Sequence, residues 1–335
     1  MKVSGFTFIR NATKFDYPVV EAIKSILPVC NDFYVAVGNS DDNTLDLIKN
    51  IDKEKIRIIE TVLDDSPQMK IWGKVFASET DKAFQSIPKD SDWAFYIQGD
   101  EVIHEKYLDT ILSSMKKWNE DKMVDGLLFN YLHFYGSYDY FGISPKWYNH
   151  EIRVIRNDKS IYSFRDAQGF RKNKNEKLNV KPVEAFVYHY GWVKEPGTMM
   201  KKAINANSFY RDKNFLKELK SKDSNGSKEF DYSSIDSLSL FTDSHPEIMQ
   251  ERIRRKNWTF EHDISFNRLS LRYRGKIFIK KYLYINTYYE NYRIIWGGQS
   301  CWIGKYIKQQ SGIVQWCRLA NLHYTLIVLF PYCRM

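Results

Sequence analysis

The chain has 335 residues, 43% of them hydrophobic, enough for one large α/β domain with an appendage and a sizeable core. Its formal charge of +9 favours anionic partners such as nucleotide diphosphates, acidic glycans or a membrane surface. No zinc-finger spacing or RNP-like motif is present, so a nucleic-acid module is excluded. The four cysteines, Cys30, Cys301, Cys317 and Cys333, form no CxxC pair, which excludes a disulfide framework or zinc site and makes a reducing cytoplasm the default setting. The opening residues lack the apolar run of a signal peptide, and the longest apolar run, 325–330, is too short to cross a bilayer. A soluble or peripheral cytoplasmic chain is expected, the inner face of the membrane being the surface it would touch.

In chain order, residues 3–9 read as a buried strand. Asp16-Tyr17-Pro18 then opens a helix to about residue 27, with Pro18 in the first turn and Glu21 at the positive end of the dipole. Strands follow at 33–37, 56–61 and 93–97, with helices at 44–51 and 70–84 between them. This alternation predicts βαβ units and a parallel sheet. Ligands of such sheets bind at the carboxyl ends of the strands. The polar turns Gly38–Asn43 and Gln98–Glu101 fall at those ends. Residues 126–140, 152–155 and 185–190 are strand-like, with a Lys/Asn-rich loop at 171–179. A helix is predicted from 196 to about 219, a polar loop over 220–227 and a further helix over 246–257. From Arg268 onward the chain is basic and rich in Tyr. The aromatic share of 16% suits sugar-binding loops and plain cores alike.

An apolar strand that runs into Asp100-Glu101 places carboxylates at the lip of the sheet. A divalent cation prefers oxygen ligands and bridges substrate phosphates; alternatively, Asp100 caps the helix that follows. Trp93-Ala94-Phe95-Tyr96-Ile97-Gln98-Gly99-Asp100-Glu101 resembles the strand-plus-DxDE signature of glycosyltransferase family 2, whose fold is GT-A. Val37-Gly38-Asn39-Ser40-Asp41-Asp42-Asn43-Thr44 is similar to that family's D-x-G-S-x-D-x-T turn, and Phe6-Thr7-Phe8-Ile9-Arg10-Asn11 to its first strand. Two positions depart from the pattern, Gln98 and Val37 standing where the family has Asp.

The resemblance implies a GT-A αβα sandwich with a mostly parallel central sheet and a helical, basic C-terminal extension. It divides the chain into a catalytic domain, 1–215, and a region 216–335. The first 120 residues would bind the nucleotide-sugar and 121–215 the acceptor. It implies donor contacts from Arg10, Asn11, Asn39, Ser40, Asp42, Asp81, Gln98, Gly99, Asp100 and Lys201, and a Mn²⁺ or Mg²⁺ ion on Asp100 and His189. Lys202 shares the phosphate role with Lys201. Most of these residues also have bland readings as turn, cap or solvated side chains.

An inverting transfer needs a carboxylate to take the acceptor's proton. Asp166 is preferred and Glu151 is the runner-up, the latter also readable as an ion pair with Arg153 or Arg156. The expected activity is transfer from a nucleotide-diphosphate sugar to a glycan or lipid-linked acceptor of a surface polysaccharide or lipopolysaccharide. A nucleotidyltransferase of similar fold, or a degenerate carbohydrate- or nucleotide-binding protein, is the alternative. Arg272, Arg274, Lys276, Lys280 and Lys281, interleaved with Tyr, Phe and Ile, suggest peripheral membrane contact. The oligomeric state, the sugar and the base are not set by these patterns.

Overall fold

A computed structural model describes residues 1–64, 66–70, 73–209, 229–265, 268–283 and 290–295. Strand β1 (Val3–Ile9) lies between β2 (Asp32–Gly38) and β4 (Trp93–Tyr96), parallel to both, and β3 (Ile56–Thr61) extends the sheet beyond β2. Central parallel strands are covered on both faces, which is why β1 and β2 are nearly continuous in apolar residues. The crossovers carry α1 (Val19–Ile26), α2 (Thr44–Lys49), α3 (Pro67–Lys70) and α4 (Lys74–Gln85). Val19, Ala22, Ile23 and Ile26 turn one stripe of α1 into the core.

Beyond β4 the sheet becomes mixed. β8 (His150–Arg156) pairs antiparallel with β4 and with β6 (Gly126–Tyr135). β12 (Asn179–Trp192) runs parallel to β6, and the short β5 (Glu101–Ile103) pairs antiparallel with β12. β7 (Tyr140–Gly142) joins β6 to β13 (Leu238–Leu240). β9 (Ile161–Phe164), β10 (Gly169–Lys172) and β11 (Glu176–Lys177) form a separate three-stranded sheet. Helix α5 (Leu108–Trp118) packs on β12, and α6 (Pro196–Asn207) follows it. The α/β architecture expected from the sequence is present, with β1 to β4 forming an all-parallel run in the first hundred residues.

Several elements differ from expectation, each for a local reason. The helix predicted over 70–84 is divided, because Gly73 takes a left-handed conformation at φ 65° and caps α4. The run 126–140 is two strands separated by a turn in which the Ser137 amide bonds the Tyr135 carbonyl. The loop predicted over 171–179 is partly a hairpin. Asn173 and Asn175 adopt positive φ there, which Asn tolerates better than most residues. The helix expected at 196–219 ends at Asn207 with Ser208 as its C-cap, while 210–219 and the loop at 220–227 lie outside the described residues.

The region after 216 supplies, within its described residues, β13, α7 (Gln250–Arg254), α8 (Leu271–Leu283) and β14 (Arg293–Ile294), which pairs with β12. Met1–Ile295 form one compact unit. Cys30 is a buried free thiol, while Cys301, Cys317 and Cys333 lie outside the described residues.

The core beneath the sheet's carboxyl edge is aromatic. Phe6 packs on Tyr96 at 5.1 Å and on Phe84 at 5.3 Å, and Tyr96 meets Phe170 edge-on at 5.5 Å. Each fully buried ring contributes about 2–3 kcal/mol by leaving water. The cluster also anchors the start of β10, and with it the loop at 165–168, against β1 and β4.

Candidate functional site at the carboxyl edge of the sheet

β4 ends at Tyr96 and the chain turns through Gln98 and Gly99 to Asp100. The turn is closed by Glu101, whose amide donates to the Gln98 carbonyl and whose carboxylate accepts from the Gln98 amide, both at 3.0 Å. Glu101 is wholly buried. Arg153 donates to it twice, at 2.8 and 2.7 Å, and the Tyr131 hydroxyl once, at 2.8 Å. The Arg153 guanidinium lies 5.1 Å from the Tyr96 ring and 5.3 Å from the Tyr131 ring. Glu101 is therefore a fixed strut, and Asp100 beside it is the carboxylate left for the cavity.

That cavity measures about 230 Å³ and is lined by Asp100, Arg10, Tyr17, Gln98, Gly99 and Asp166, among others. Three further residues reach Asp100, two from β12 and one from α6. Its carbonyl accepts from the Tyr190 amide at 2.8 Å, which brings the end of β12 alongside. His189 Nε2 then stands 3.7 Å from Asp100 Oδ1. Glu195 caps α6 by accepting from the amides of Gly197 (2.9 Å) and Thr198 (2.8 Å). With the start of α6 fixed, Lys202 on its second turn reaches back. Its Nζ donates to Asp100 Oδ2 at 3.0 Å and to the Gly191 carbonyl at 2.8 Å.

Charge explains the protonation states. Burial alone would raise the Asp100 carboxyl, but the Lys202 ammonium outweighs it and holds the group well below the usual carboxylate range. Burial pushes His189 down and His133 well down, so both rings are neutral near pH 7. Lys194, also buried, is pushed down to about 7 by burial and by Lys202, with Asp16 opposing. Its Nζ donates to the Asp16 carbonyl at 2.5 Å and lies 5.1 Å from the Tyr17 ring, on which Lys202 also sits at 4.7 Å.

The polar turn after β2 is stitched to the end of β1. The Asn11 amide donates to Ser40 Oγ (3.1 Å), the Asp41 amide to Asn11 Oδ1 (3.0 Å) and the Lys14 amide to Asp42 (2.7 Å). Asp42 also accepts from the Thr44 amide at 3.0 Å, and Arg10 Nε donates to the Asn39 carbonyl at 2.8 Å. Of this group Arg10 lines the Asp100 cavity. Asn11, Ser40 and Asp42 hold the turn in place with the bonds just named, and Asn39 is exposed.

Asp81 is elsewhere. It accepts from the Ser163 amide at 2.7 Å and borders a different cleft with Lys74 and Lys82, where burial raises its carboxyl to about 7. Lys201 is exposed, whereas its neighbour Lys202 touches Asp100.

Asp166 sits between two residues in left-handed conformation, Arg165 at φ 59° and Ala167 at φ 64°. Non-glycine residues held there cost roughly 1–2 kcal/mol each. The loop is held by Gln98 Nε2 donating to the Ala167 carbonyl (3.1 Å) and Arg153 donating to the Gln168 carbonyl (3.0 Å).

Across this loop a second cavity, of about 280 Å³, is lined by Glu151, Arg165, Gln168, Trp147, Tyr148 and Tyr292, among others. Glu151 is buried, its Oε2 has no hydrogen-bond partner among the described residues, and its carboxyl is raised to about 8. Burial is the main cause; Arg153 opposes it, and Glu101 and Asp166 add to it. The ion pair considered for Glu151 is made by Glu101 instead.

Whether this set suits a divalent cation can be judged from its donors. His133 Nε2 bonds the Tyr148 carbonyl at 2.8 Å, so that nitrogen carries the hydrogen. His133 Nδ1 is then an acceptor, and the 3.3 Å contact to His189 Nδ1 makes His189 the donor. His189 Nε2 is left with a lone pair facing a carboxylate oxygen, two acceptors with no hydrogen between them. A Cβ on Gly191 would lie 2.5 Å from His189 Cε1 and 2.8 Å from Asp100 Oδ2, so glycine keeps this space open. One carboxylate and one imidazole, completed by substrate phosphates and water, are a donor set that Mg²⁺ or Mn²⁺ accepts. Among the described residues no cluster of three or more such side chains exists.

No protein-family model and no curated protein matches the chain. Among solved structures it is similar to TarS of S. aureus, at 13% identity and TM-score 0.33, over 66% of this chain and 42% of that one. The TarS 1–349 structure in complex with UDP-GlcNAc is 12% identical with TM-score 0.32, covering 66% and 71%. A glucosyl-3-phosphoglycerate synthase from Mycobacterium tuberculosis, in complex with Mn²⁺, UDP and glucosyl-3-phosphoglycerate, gives 12%, TM-score 0.27, and 40% and 45% coverage. An inositol-1-phosphate CTP transferase from T. maritima gives 10%, TM-score 0.33, and 66% and 96%. The chain thus spans less than half of TarS. Superpositions this loose supply no residue correspondences.

Proposed function

We propose that the protein transfers a sugar from a nucleotide-diphosphate donor to a glycan or lipid-linked acceptor with inversion at the anomeric carbon. One observation carries the reading: at the carboxyl end of a parallel sheet, Asp100 lines a cavity with Arg10 and is met by His189 and Lys202. In this reading residues 1–120 hold the donor and 121–215 the acceptor. Phe8, Phe76 and Phe209 offer ring faces to the nucleobase. Arg10 and Lys202 meet the diphosphate. When bound, a divalent cation on Asp100 and His189 supplies positive charge to the leaving group.

The acceptor hydroxyl oxygen bonds to the anomeric carbon as the carbon–oxygen bond to the diphosphate breaks. The bond pair departs on the diphosphate, and the hydroxyl proton passes to Asp166, which shares the donor cavity. Glu151, in the cavity across the 165–168 loop, lies on the acceptor side. Peripheral membrane contact is assigned to α8, which carries Arg272, Arg274 and Lys276 and exposes Leu271 and Phe278. No described helix is long and apolar enough to cross a membrane.

The test is nucleoside diphosphate release from a panel of UDP-, GDP-, CDP- and dTDP-sugars with Mn²⁺ present. Release from at least one donor that disappears in Asp100→Asn supports the reading. Neither binding nor release across the whole panel overturns it.

A further inference from the structure

We infer that His133 is a positioning residue, setting the tautomer of His189 so that Nε2 offers its lone pair beside Asp100 and completes a two-ligand cation site. The inference rests on the donor-site reading above, and it concerns a residue that does not touch the cation. His133 and His189 are register partners on the parallel strands β6 and β12, with ring centroids 4.9 Å apart. His133 is almost fully buried and stacks on Tyr131 at 5.4 Å and on Trp147 at 5.1 Å, so its ring has little freedom to flip.

The direction of the chain follows from its end. A carbonyl only accepts, so the Tyr148 oxygen takes the hydrogen of His133 Nε2. His133 Nδ1 accepts from His189 Nδ1. The opposite tautomer of His189 would place a hydrogen between Nε2 and Asp100, where a cation belongs. It would also oppose two lone pairs across the 3.3 Å contact. Outer partners that fix a ligating imidazole in this way raise metal affinity by about 10–100-fold.

The experiment measures Mn²⁺ binding to the full chain by electron paramagnetic resonance, with UDP and then GDP as the added diphosphate. Three single variants are compared with the native protein: His133→Phe, His133→Gln and His189→Ala. Phe keeps the stacked ring without the acceptor. Gln keeps both an amide hydrogen for the Tyr148 carbonyl and an acceptor for His189.

We expect Mn²⁺ binding to weaken about tenfold or more in His133→Phe and in His189→Ala, and to stay within about threefold in His133→Gln. Native affinity in His133→Phe overturns the inference and leaves the donor reading standing. Absence of Mn²⁺ binding in the native protein with both diphosphates overturns the cation site itself, whatever the variants do. Nitrogen NMR of the imidazoles in the native chain decides the matter even if His133→Phe fails to fold. The expected spectrum has His189 protonated at Nδ1, and a hydrogen on Nε2 refutes the inference.

Discussion

Lys202 donates to Asp100 Oδ2 at 3.0 Å while His189 approaches the other carboxylate oxygen at 3.7 Å, so one side chain at the sheet edge is shared between a helix and a strand that come much later in the chain. Lys202→Met removes a charge-assisted bond of about 1.5–3 kcal/mol. Nucleoside diphosphate binding, read by calorimetry, should weaken by about tenfold to a hundredfold. Unchanged affinity in a folded variant would show that the ammonium serves only to hold Asp100.

The Glu101–Arg153 pair is wholly buried and ties the 98–101 turn to the 165–168 loop. Arg153→Met leaves the Glu101 charge without its partner, and the loss should be about 3–5 kcal/mol in denaturant unfolding. The double variant Glu101→Gln with Arg153→Met should recover part of it. If the single variant costs less than about 1 kcal/mol, the pair is not the strut described.

Glu151 should contribute a fall in stability as pH rises through the neutral range, because it is raised from 4.5 to about 8 in the fold, whereas the lowered His133, His189 and Lys194 contribute in the opposite direction. Between those values the folded chain keeps a proton that the unfolded chain has released. The stabilisation is complete below about pH 4.5 and lost as pH rises through 8. The limiting slope for one such group is about 1.4 kcal/mol per pH unit. Glu151→Gln should flatten the profile between pH 5 and 8 by up to that amount. Asp81, raised to about 7, adds a slope of the same sign that this variant leaves in place.

The two candidate bases are separable by kinetics. Asp166→Asn should lower sugar transfer to the acceptor by roughly 10²–10⁴-fold with little change in donor binding. Glu151→Gln should act mainly on acceptor KM. The reverse pattern would move the base to the second cavity.

Gly191→Ala tests the space between Asp100 and His189. Its Cβ would stand 2.8 Å from Asp100 Oδ2 and 2.9 Å from His189 Nε2, inside normal contact distance. Mn²⁺-dependent diphosphate binding should drop more than tenfold, with a loss of thermal stability of about 1–3 kcal/mol because His189 and Asp100 must shift. Native binding would mean that this space is not where the cation sits.

Features that depend on neighbours along the chain were legible in its residues alone. Apolar runs alternating with amphipathic stretches specified β1 to β4 and their crossover helices, and a strand that ends in Gln98-Gly99-Asp100-Glu101 put a carboxylate at the sheet edge. The remaining features depend on pairing between distant strands. No local pattern distinguishes Asp100, open to the cavity, from Glu101, locked by Arg153 fifty residues away. Nor does any pattern choose Lys202 over Lys201, because the choice follows from where the Glu195 cap starts α6.

His133 carried no motif at all, standing in an aromatic strand like any core residue. Only the parallel register of β6 against β12 sets it beside His189. Turn and strand preferences are written in sequences a few residues long. A site assembled from several strands and a helix is written in the register between them, which is fixed only when the whole sheet buries its faces together.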